Sequence, residues 1–447
     1  MAATARESGA APHAALEGCA PGARRAHPAL HPALEWARCG AMALCGPADG
    51  TPRLAPGPLA SRAREAVAAL AHLAASERLR ALDGAALLGE RAALAGLARR
   101  GAVSPGGGCR LLRAADGWIA ASLVRPDDVR LLPAWLGEGE AGDPWRFVAE
   151  RVAGRGVEEI VARARLLGLP VAPAAAPGPA PPSWLRIAAR GPRAERSGPP
   201  RVLDLSSLWA GPLCTHLLAL AGAQVVKLES TRRPDGARFG PRAFFDLLNA
   251  GKRSVALDLA APEGRAALAR LAERADIVVE SARPRALRQL GIDAAELVER
   301  VPGLTWLSIT GYGRSEPEAG WVAFGDDAAC AAGLAAATGD PDAPIFCGDA
   351  IADPLAGIHA ALAAWASWQG GGGALLDVSL RDAAAWCLGA GGARDGAHVE
   401  RRGGGFAVAA DGRVEPVASA RARRPDGRAR PLGADTAQVL REAGLPC

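Results

Sequence analysis

The chain has 447 residues, of which 22% are charged and 49% hydrophobic, and its formal net charge is +5. This length allows two or three domains with sizeable cores, and the mild charge, without runs of like residues, does not indicate a nucleic-acid partner. The chain has no basic leader before an apolar run and no uncharged apolar stretch of about 18 residues, which predicts a cytoplasmic protein without a membrane partner.

The cysteines do not form a recognisable framework. Nine of them are scattered along the chain, and none forms a C-x-x-C pair. This pattern is not typical of a disulfide scaffold or of a structural zinc site. We therefore expect free thiols in a reducing compartment and no metal site.

Four segments are expected in the first 200 residues. Residues 1–30 lack periodicity and predict a disordered leader, whereas 31–103 have a mostly helical pattern. The segment 104–173 predicts a small α+β domain, because two strand-like runs meet at Asp116-Gly117, a strong hairpin signal, and helical patterns follow. The proline-rich residues 174–200 predict an extended linker and a domain boundary.

From residue 201 the pattern changes to strands that alternate with amphipathic helices. Strand-like runs such as "RVLDLSS", "AQVVKLES" and "LTWLSIT" alternate with helical stretches such as "PEGRAALARLAERA". This predicts a doubly wound, mostly parallel, Rossmann-like α/β domain over 201–390, with 391–447 completing it. Ligands of such sheets bind beyond the carboxyl ends of the strands. The first βα turn has no G-x-G-x-x-G, which disfavours a dinucleotide dehydrogenase.

Two distant stretches resemble each other. The sequence "LAPGPLASRAREAVAALAHLA" (54–74) is similar to "CGDAIADPLAGIHAALAAW" (347–365), and the similarity extends upstream, where Gly40 matches Gly333. Either residues 31–103 are a degenerate repeat of the catalytic half, or two alanine-rich segments are similar by chance. In the first copy Gly57 stands where the second has Asp353.

The motifs after residue 200 together resemble the family III CoA-transferases, which include formyl-CoA and carnitine-CoA transferases and α-methylacyl-CoA racemases. The resemblance covers 201 to about 390 and rests on "RVLDLSSLWAGPLCTHLLALAGAQVVKLES", "NAGKRSVALDL", "ESARP", "LSITGYG" and "IADPLAGIHAALAA". The stretch 105–173 is similar to the family's small domain, although here it precedes the large one. The order of the parts is therefore rearranged.

The resemblance implies that CoA is moved from an acyl-CoA to a carboxylic acid, with Asp353 as the nucleophile and aspartyl anhydride and aspartyl-CoA thioester intermediates. CoA is then a substrate, and no tightly bound cofactor is implied. From the residues alone, Asp before Pro is a common helix start, with Asp353 as N-cap and Pro354 as the first helical residue. Asp349 is the competing carboxylate, and His359 is expected to be packed rather than catalytic.

Further residues match family positions at the CoA site. Lysine and arginine side chains in the turns after strands are suited to bind phosphate groups. A single arginine on its own, however, is more often a solvated surface charge without a ligand. The loop Gly106, Gly107 and Gly108 either offers N–H groups over the site or is a flexible hairpin entry. Lys227 either follows the family or is structural and pairs with Glu229 or a neighbouring residue. The expected CoA-binding residues are Leu208, Trp209, Ala210, Lys252, Arg253, Ser254, Arg283 and Tyr312.

Two departures from the family bear on function. The racemases have a His where Phe324 and Gly325 stand in this chain, so a racemase or epimerase is an alternative that needs another base. The rearranged order also leaves open a non-catalytic CoA-binding paralogue. Because family enzymes form interlocked dimers, we expect either a homodimer or a pseudo-symmetric monomer in which the N-terminal repeat replaces part of a partner.

Overall fold

A computed structural model describes residues 30–139 and 142–445 of the chain. The expected disordered leader, 1–30, lies outside these residues except for its last position. No helix of the described ranges is long and apolar enough to cross a membrane.

The N-terminal segment is helical, as the pattern predicts. Its buried side chains, such as Trp36 and Leu59, belong to the same hydrophobic core as Val202 and Ile277 of the main sheet. The segment therefore packs on the main α/β body. Its helices are α1 (Pro32–Cys39), α2 (Leu59–Leu73), α3 (Glu77–Arg80) and α4 (Glu90–Ala95).

A small α+β unit follows. The hairpin predicted at Asp116-Gly117 is present, with Cys109 paired to Ser122 and Arg113 to Trp118. This unit has its own core, which includes Ile119. Its strands are β1 (Cys109–Arg113), β2 (Trp118–Ser122) and β3 (Val171–Pro173), and its helices are α5 (Pro126–Arg130), α6 (Leu132–Leu136), α7 (Pro144–Val152) and α8 (Val157–Leu166).

The main sheet has seven strands within the described residues. Its order is β4-β10-β9-β8-β5-β6-β7, with every neighbouring pair parallel except β4 and β10. The predicted doubly wound fold class is confirmed. The strands are β4 (Arg186–Arg190), β5 (Arg201–Asp204), β6 (Gln224–Ser230), β7 (Arg253–Leu257), β8 (Ile277–Glu280), β9 (Thr305–Thr310) and β10 (Ala374–Ser379).

Strand β4 corrects part of the linker prediction. Residues 186–190 lie within the predicted extended linker, but they pair antiparallel with β10 and close one edge of the sheet. Prolines flank this segment without interrupting it, and an edge strand tolerates such neighbours.

Helices cover both faces of the sheet. Val202 and Val279 point to one core and Leu203 and Val278 to the other, so each central strand is buried on both sides. The helices are α9 (Ala210–Leu220), α10 (Arg242–Asn249), α11 (Pro262–Arg274), α12 (Pro284–Gln289), α13 (Ala294–Arg300), α14 (Gly325–Ala331), α15 (Leu334–Thr338), α16 (Ala352–Gln369) and α17 (Leu380–Leu388).

The C-terminal part adds a separate three-stranded sheet and a helix. Strands β11 (His398–Arg402), β12 (Gly405–Ala410) and β13 (Arg413–Pro416) are antiparallel, and β12 contacts α1. Helix α18 (Thr436–Glu442) packs against β7, where the Ser254 amide donates to Asp435 over 2.8 Å.

Candidate active site

Asp353 lies in the first turn of α16, but not at the predicted position. The N-cap is Ile351 and the helix begins at Ala352, so the expectation that Asp353 caps the helix before Pro354 is wrong by two residues. The Asp353 amide donates to Ala350 O over 2.9 Å, and the preceding turn is held by a left-handed Ala350, with φ 42°. The carboxyl group therefore lies beside the positive end of the helix.

Gly325, the first residue of α14, lies directly against Asp353. A Cβ atom at Gly325 would overlap Oδ2 of Asp353 and the carbonyl oxygen of Ala350, so a larger residue would displace the carboxyl group. The Gly325 amide also donates a hydrogen bond to Asp353. The structure thus brings Phe324 and Gly325, the positions of the racemase His, next to the candidate nucleophile, and neither side chain can accept a proton.

The carboxyl groups of Asp326 and Asp349 lie close to that of Asp353. Burial, reinforced by the other two carboxylates, raises the pKa of Asp353 to about 7. The same cause raises the pKa of Asp326 to about 6 and raises that of Asp349. A carboxyl group with a pKa near neutrality is common at catalytic sites and uncommon on a protein surface.

Arg91 of α4 is the basic group in this cluster. Its Nε donates to Oδ2 of Asp349 over 2.8 Å, and its Nη2 donates to Oδ1. Sequence reasoning missed this residue, because Arg91 lies 258 positions before Asp349 and the helical pattern around it has no unusual feature.

The two candidate nucleophiles differ in accessibility. The Asp349 side chain is 0% exposed and both of its oxygens accept hydrogen bonds from Arg91. The Asp353 side chain is partly exposed and has no guanidinium partner among the described contacts. The geometry therefore favours Asp353 over Asp349 as the group that can reach a substrate.

The small α+β unit borders the cluster. A Cβ at Gly106 would lie 3.3 Å from Nη2 of Arg91 and 3.8 Å from Oδ1 of Asp349. Ser122 donates to Asp327 over 2.9 Å, which fixes β2 against α14. The predicted glycine loop is therefore adjacent to the acidic cluster.

The predicted turn after β5 also borders it. The Trp209 ring centroid lies 5.5 Å from the guanidinium carbon of Arg91, and a Cβ at Gly357 of α16 would overlap the Ala210 carbonyl. Leu208 has a positive φ of 68° and is 40% exposed. This turn thus connects the start of α9 to the helix that carries Asp353.

A cavity of about 740 Å³ lies between the small unit and the main α/β body. Arg283, one of the predicted CoA-binding residues, follows β8 and lines it. The guanidinium carbon of Arg125 lies 5.8 Å from the ring centroid of Phe324, one residue from Gly325. Arg125 and Phe324 therefore link the cavity to the residue that faces Asp353. The arginines of the cavity are Arg125, Arg165, Arg233, Arg283 and Arg285.

The predicted CoA-binding residues Lys252, Arg253 and Ser254 do not line this cavity. Lys252 is buried, and its ammonium donates to acceptors that include Asp204 and Thr215, at 3.0 and 2.7 Å. Arg253 pairs with Glu442, and Ser254 Oγ accepts from the Gly433 amide. A cation in a turn does not reveal whether the protein itself supplies its counter-charge.

Three other predicted residues are internal. Tyr312 is buried, and its ring lies 5.4 Å from that of Trp321, which lines the cavity. Lys227 pairs with Asp235 at 3.0 Å, not with Glu229. Burial lowers the pKa of His359 to about 4, in keeping with a packed histidine.

No three His, Cys, Asp or Glu side chains in residues 30–139 and 142–445 are arranged to hold a metal ion. The candidate site thus consists of a partly exposed carboxyl group in the first turn of α16 and an arginine-lined cavity. Ligands of doubly wound α/β proteins bind beyond the carboxyl ends of the strands, and Arg283 of the cavity follows the end of β8.

The comparisons with known proteins agree with this class. Residues 200–409 match the model of CoA-transferase family III. The chain is 33% identical over 192 residues to a succinyl-CoA:D-citramalate CoA-transferase of Chloroflexus aurantiacus, covering 40% of this chain and 48% of that protein. It is 34% identical over 200 residues to a succinate:glutarate CoA-transferase of Agrobacterium fabrum, covering 41% and 50%.

A crystal structure of a CAIB/BAIF family protein from Brucella suis is 31% identical, with a TM-score of 0.39 over 42% of this chain and 54% of that one. The chain spans about half the length of the curated relatives it matches. The match of residues 200–409 to the family model confirms the resemblance seen in the sequence.

Proposed function

We propose that the chain is a CoA-transferase that moves CoA from an acyl-CoA donor to a carboxylic acid acceptor, with Asp353 as the nucleophile. The Asp353 carboxylate attacks the donor thioester and forms an acyl-aspartyl anhydride and CoA thiolate. The thiolate attacks the aspartyl carbonyl, which releases the donor acid and leaves an aspartyl-CoA thioester. The acceptor carboxylate displaces the thiolate, which then attacks the acceptor's acyl carbonyl and frees Asp353.

The observation that carries this proposal is the state of Asp353. It is partly exposed, it has no guanidinium partner among the described residues, and burial raises its pKa to about 7. A carboxylate removed from water and left unpaired is a stronger nucleophile than a solvated one. Asp349 lacks these properties because Arg91 holds both of its oxygens.

The arginine-lined cavity is the proposed site of the CoA phosphates. Burial lowers the pKa of Arg283, and the charges of Arg285, Arg125 and Arg233 lower it further. These guanidinium groups repel one another, so a bound phosphate relieves their repulsion. Arg125 is already paired with Asp128, so the cavity arginines proposed to contact phosphates are Arg233, Arg283 and Arg285, which form no ion pair within the described residues.

The glycine loop is the proposed source of oxyanion stabilisation. The Gly107 amide already donates to Ser104 O over 2.8 Å. The amides of Gly106 and Gly108 are therefore the candidate donors to the oxyanion that forms during attack. The position of Gly106 beside Arg91 and Asp349 supports this role.

Trapping the intermediate tests the nucleophile. After incubation with acyl-CoA and rapid denaturation, we expect a hydroxylamine-sensitive adduct on Asp353 by mass spectrometry, present in Asp349→Asn and absent in Asp353→Asn. Deuterium exchange at the α carbon without an adduct would indicate the racemase alternative. CoA binding with neither signal would indicate a non-catalytic paralogue.

CoA affinity tests the cavity. We expect Arg283→Ala to weaken CoA binding about tenfold by calorimetry, because one charge-assisted phosphate contact contributes about 1.4 kcal/mol. Arg253→Ala is the matched control, since Arg253 pairs with Glu442 and lies outside the cavity. Equal weakening in both variants would argue against this placement of CoA.

A further inference from the structure

Arg91 lies in a segment that the family match does not include, since the match begins at residue 200. Helix α4 nevertheless brings its guanidinium into the acidic cluster, where it is bound at two points by Asp349. The Arg91 side chain is 30% exposed and that of Asp349 is 0% exposed. Such a bidentate pair fixes the orientation of both groups more firmly than a surface ion pair does.

The surroundings hold Arg91 in place on two further sides. The Trp209 ring packs near the guanidinium at 5.5 Å, and Gly106 leaves room for Nη2. The adjacent residue, Glu90, binds Arg423 through both of its oxygens and anchors α4 to the C-terminal tail. Arg91 therefore has little freedom to move away from the cluster.

The charges around Asp353 are unbalanced without Arg91. Asp326 faces Asp353 from α14, Asp349 faces it from the turn before α16, and Arg91 faces it from α4. Three carboxyl groups thus share one guanidinium. Repulsion between close carboxylates favours their protonation, and a nearby guanidinium opposes it.

We propose that Arg91 is a positioning residue for the transfer reaction: it fixes Asp349 and keeps Asp353 ionised and oriented toward the acyl-CoA. This inference rests on the proposed function. It assigns a part in building the site to the N-terminal segment, which the sequence predicts either as a degenerate repeat or as a chance similarity.

The proposal predicts opposite effects from the two members of the ion pair. Arg91→Gln removes the compensating charge, so Asp353 should hold its proton to a higher pH. Asp349→Asn removes a repelling charge, so Asp353 should lose its proton at a lower pH. In the double variant the two effects should largely cancel. A pair that only stabilised the fold would shift neither midpoint.

The first measurement does not need activity. For the native protein and for each variant, the free energy of unfolding is measured from pH 5 to pH 9, once with Asp353 present and once with Asp353→Asn. The difference between these two free energies changes its slope against pH at the pKa of Asp353. We expect the midpoint to move up by about one pH unit in Arg91→Gln and down by a similar amount in Asp349→Asn. Arg91→Lys should keep a midpoint close to that of the native protein.

The second measurement is the rate of adduct formation on Asp353 at pH 7. Because the pKa of Asp353 is about 7, a rise of about one unit lowers the ionised fraction roughly fivefold, and the rate should fall with it. The matched control is Arg64→Gln, which breaks a pair with Glu35 elsewhere in the N-terminal segment and should leave the midpoint unchanged.

Unchanged midpoints in both Arg91→Gln and Asp349→Asn would overturn the proposal, as would an equal shift of the midpoint in Arg64→Gln. If Arg91→Gln does not fold, the downward shift in Asp349→Asn and the Arg91→Lys profile decide the matter. Opposite midpoint shifts without any adduct in the native protein would instead overturn the proposed function, while the electrostatic link between Arg91 and Asp353 would stand.

Discussion

Two helices of the molecule start with nearly the same sequence and differ in what surrounds them. Helix α16 begins at Ala352, two residues before Pro354, so Asp353 is inside its first turn. Helix α2 begins at Leu59, directly after Pro58, so Gly57 lies outside it. The two helices pack against each other. A shared Pro-Leu-Ala motif therefore does not place the preceding residue in the same environment.

The neighbours explain the difference between the two residues. Facing Asp353 is Gly325, whose missing side chain leaves room for the carboxyl group. Facing Gly57 is the carbonyl oxygen of Leu388 at the end of α17, which a Cβ at position 57 would overlap. At the start of α16, Gly325 leaves room for the Asp353 carboxyl group. At the start of α2, Gly57 leaves room for the backbone of Leu388. Gly57 is thus required by packing as well as unable to catalyse.

The repeat hypothesis gains local support from the segments upstream. Gly40 ends α1 with φ 89°, and Gly333 follows α14 with φ 88°, and each leads into a further short helical turn. Left-handed glycines that join two helical pieces are what a duplication would preserve. Whether the segments share an origin stays a prediction.

Placing an aspartate at the first helix start is the strongest way to break the comparison. Gly57→Asp should lower the free energy of unfolding by about 3 kcal/mol, because it forces a Cβ into the Leu388 carbonyl and buries an unpaired carboxyl group. Urea unfolding measures this loss.

The control is Gly154→Asp, since Gly154 is exposed and a Cβ added there would meet no atom within 4 Å beyond its own chain neighbours. We expect it to change stability by no more than about 0.5 kcal/mol. A stable Gly57→Asp variant that formed a second acyl adduct per chain would contradict the view that only one helix start can hold a nucleophile.

The pH dependence of acylation sharpens the comparison. Burial raises the pKa of Asp353 to about 7, and the attack needs the ionised form. The rate of adduct formation at saturating acyl-CoA should therefore fall about tenfold per pH unit below pH 7 and level off above it. Rapid quenching from pH 5.5 to 8.5 measures this profile. A flat profile over that range would show that Asp353 titrates like a solvated carboxyl group.

The fold was largely predictable from the sequence because each central strand is buried on both faces and therefore reads as a hydrophobic run. The hairpin at Asp116-Gly117 was predictable from its turn residues. Strand β4 was not, because the prolines around 186–190 carry the signal of a linker, while the partner that makes it a strand, β10, is remote in sequence.

The site was only partly predictable. The resemblance, whose motifs stand in turns after strands, predicted Asp353 and Arg283, and their roles stay predictions. Arg91 was missed because its role depends on a contact across 258 residues with Asp349. Lys252 was predicted at the CoA site from its position in a turn, whereas its hydrogen-bond acceptors, among them Asp204, are brought together only by folding. Local sequence specifies a charge but not its partner.

The smallest expected effect concerns stability. Because the pKa of Asp353 is raised in the folded protein, the folded state binds more protons than the unfolded state between about pH 4 and pH 7, and stability falls as the pH rises through that range. Asp353→Asn removes this cost. With allowance for its partial exposure, we expect the variant to be more stable than the native protein by about 1 kcal/mol at pH 8 and equal to it near pH 4.

Thermal unfolding at the two pH values measures the difference, and Asp127→Asn, an exposed position paired with Arg130, serves as the control with no pH-dependent gain. A destabilised Asp353→Asn variant at pH 8 would mean that Asp353 supports the fold, as Gly57 does. We expect Gly57→Asp to lower the stability of the protein and Asp353→Asn to raise it at pH 8. Gly57 is then a residue that packing requires, whereas Asp353 is retained although it lowers stability, as is expected of a catalytic group.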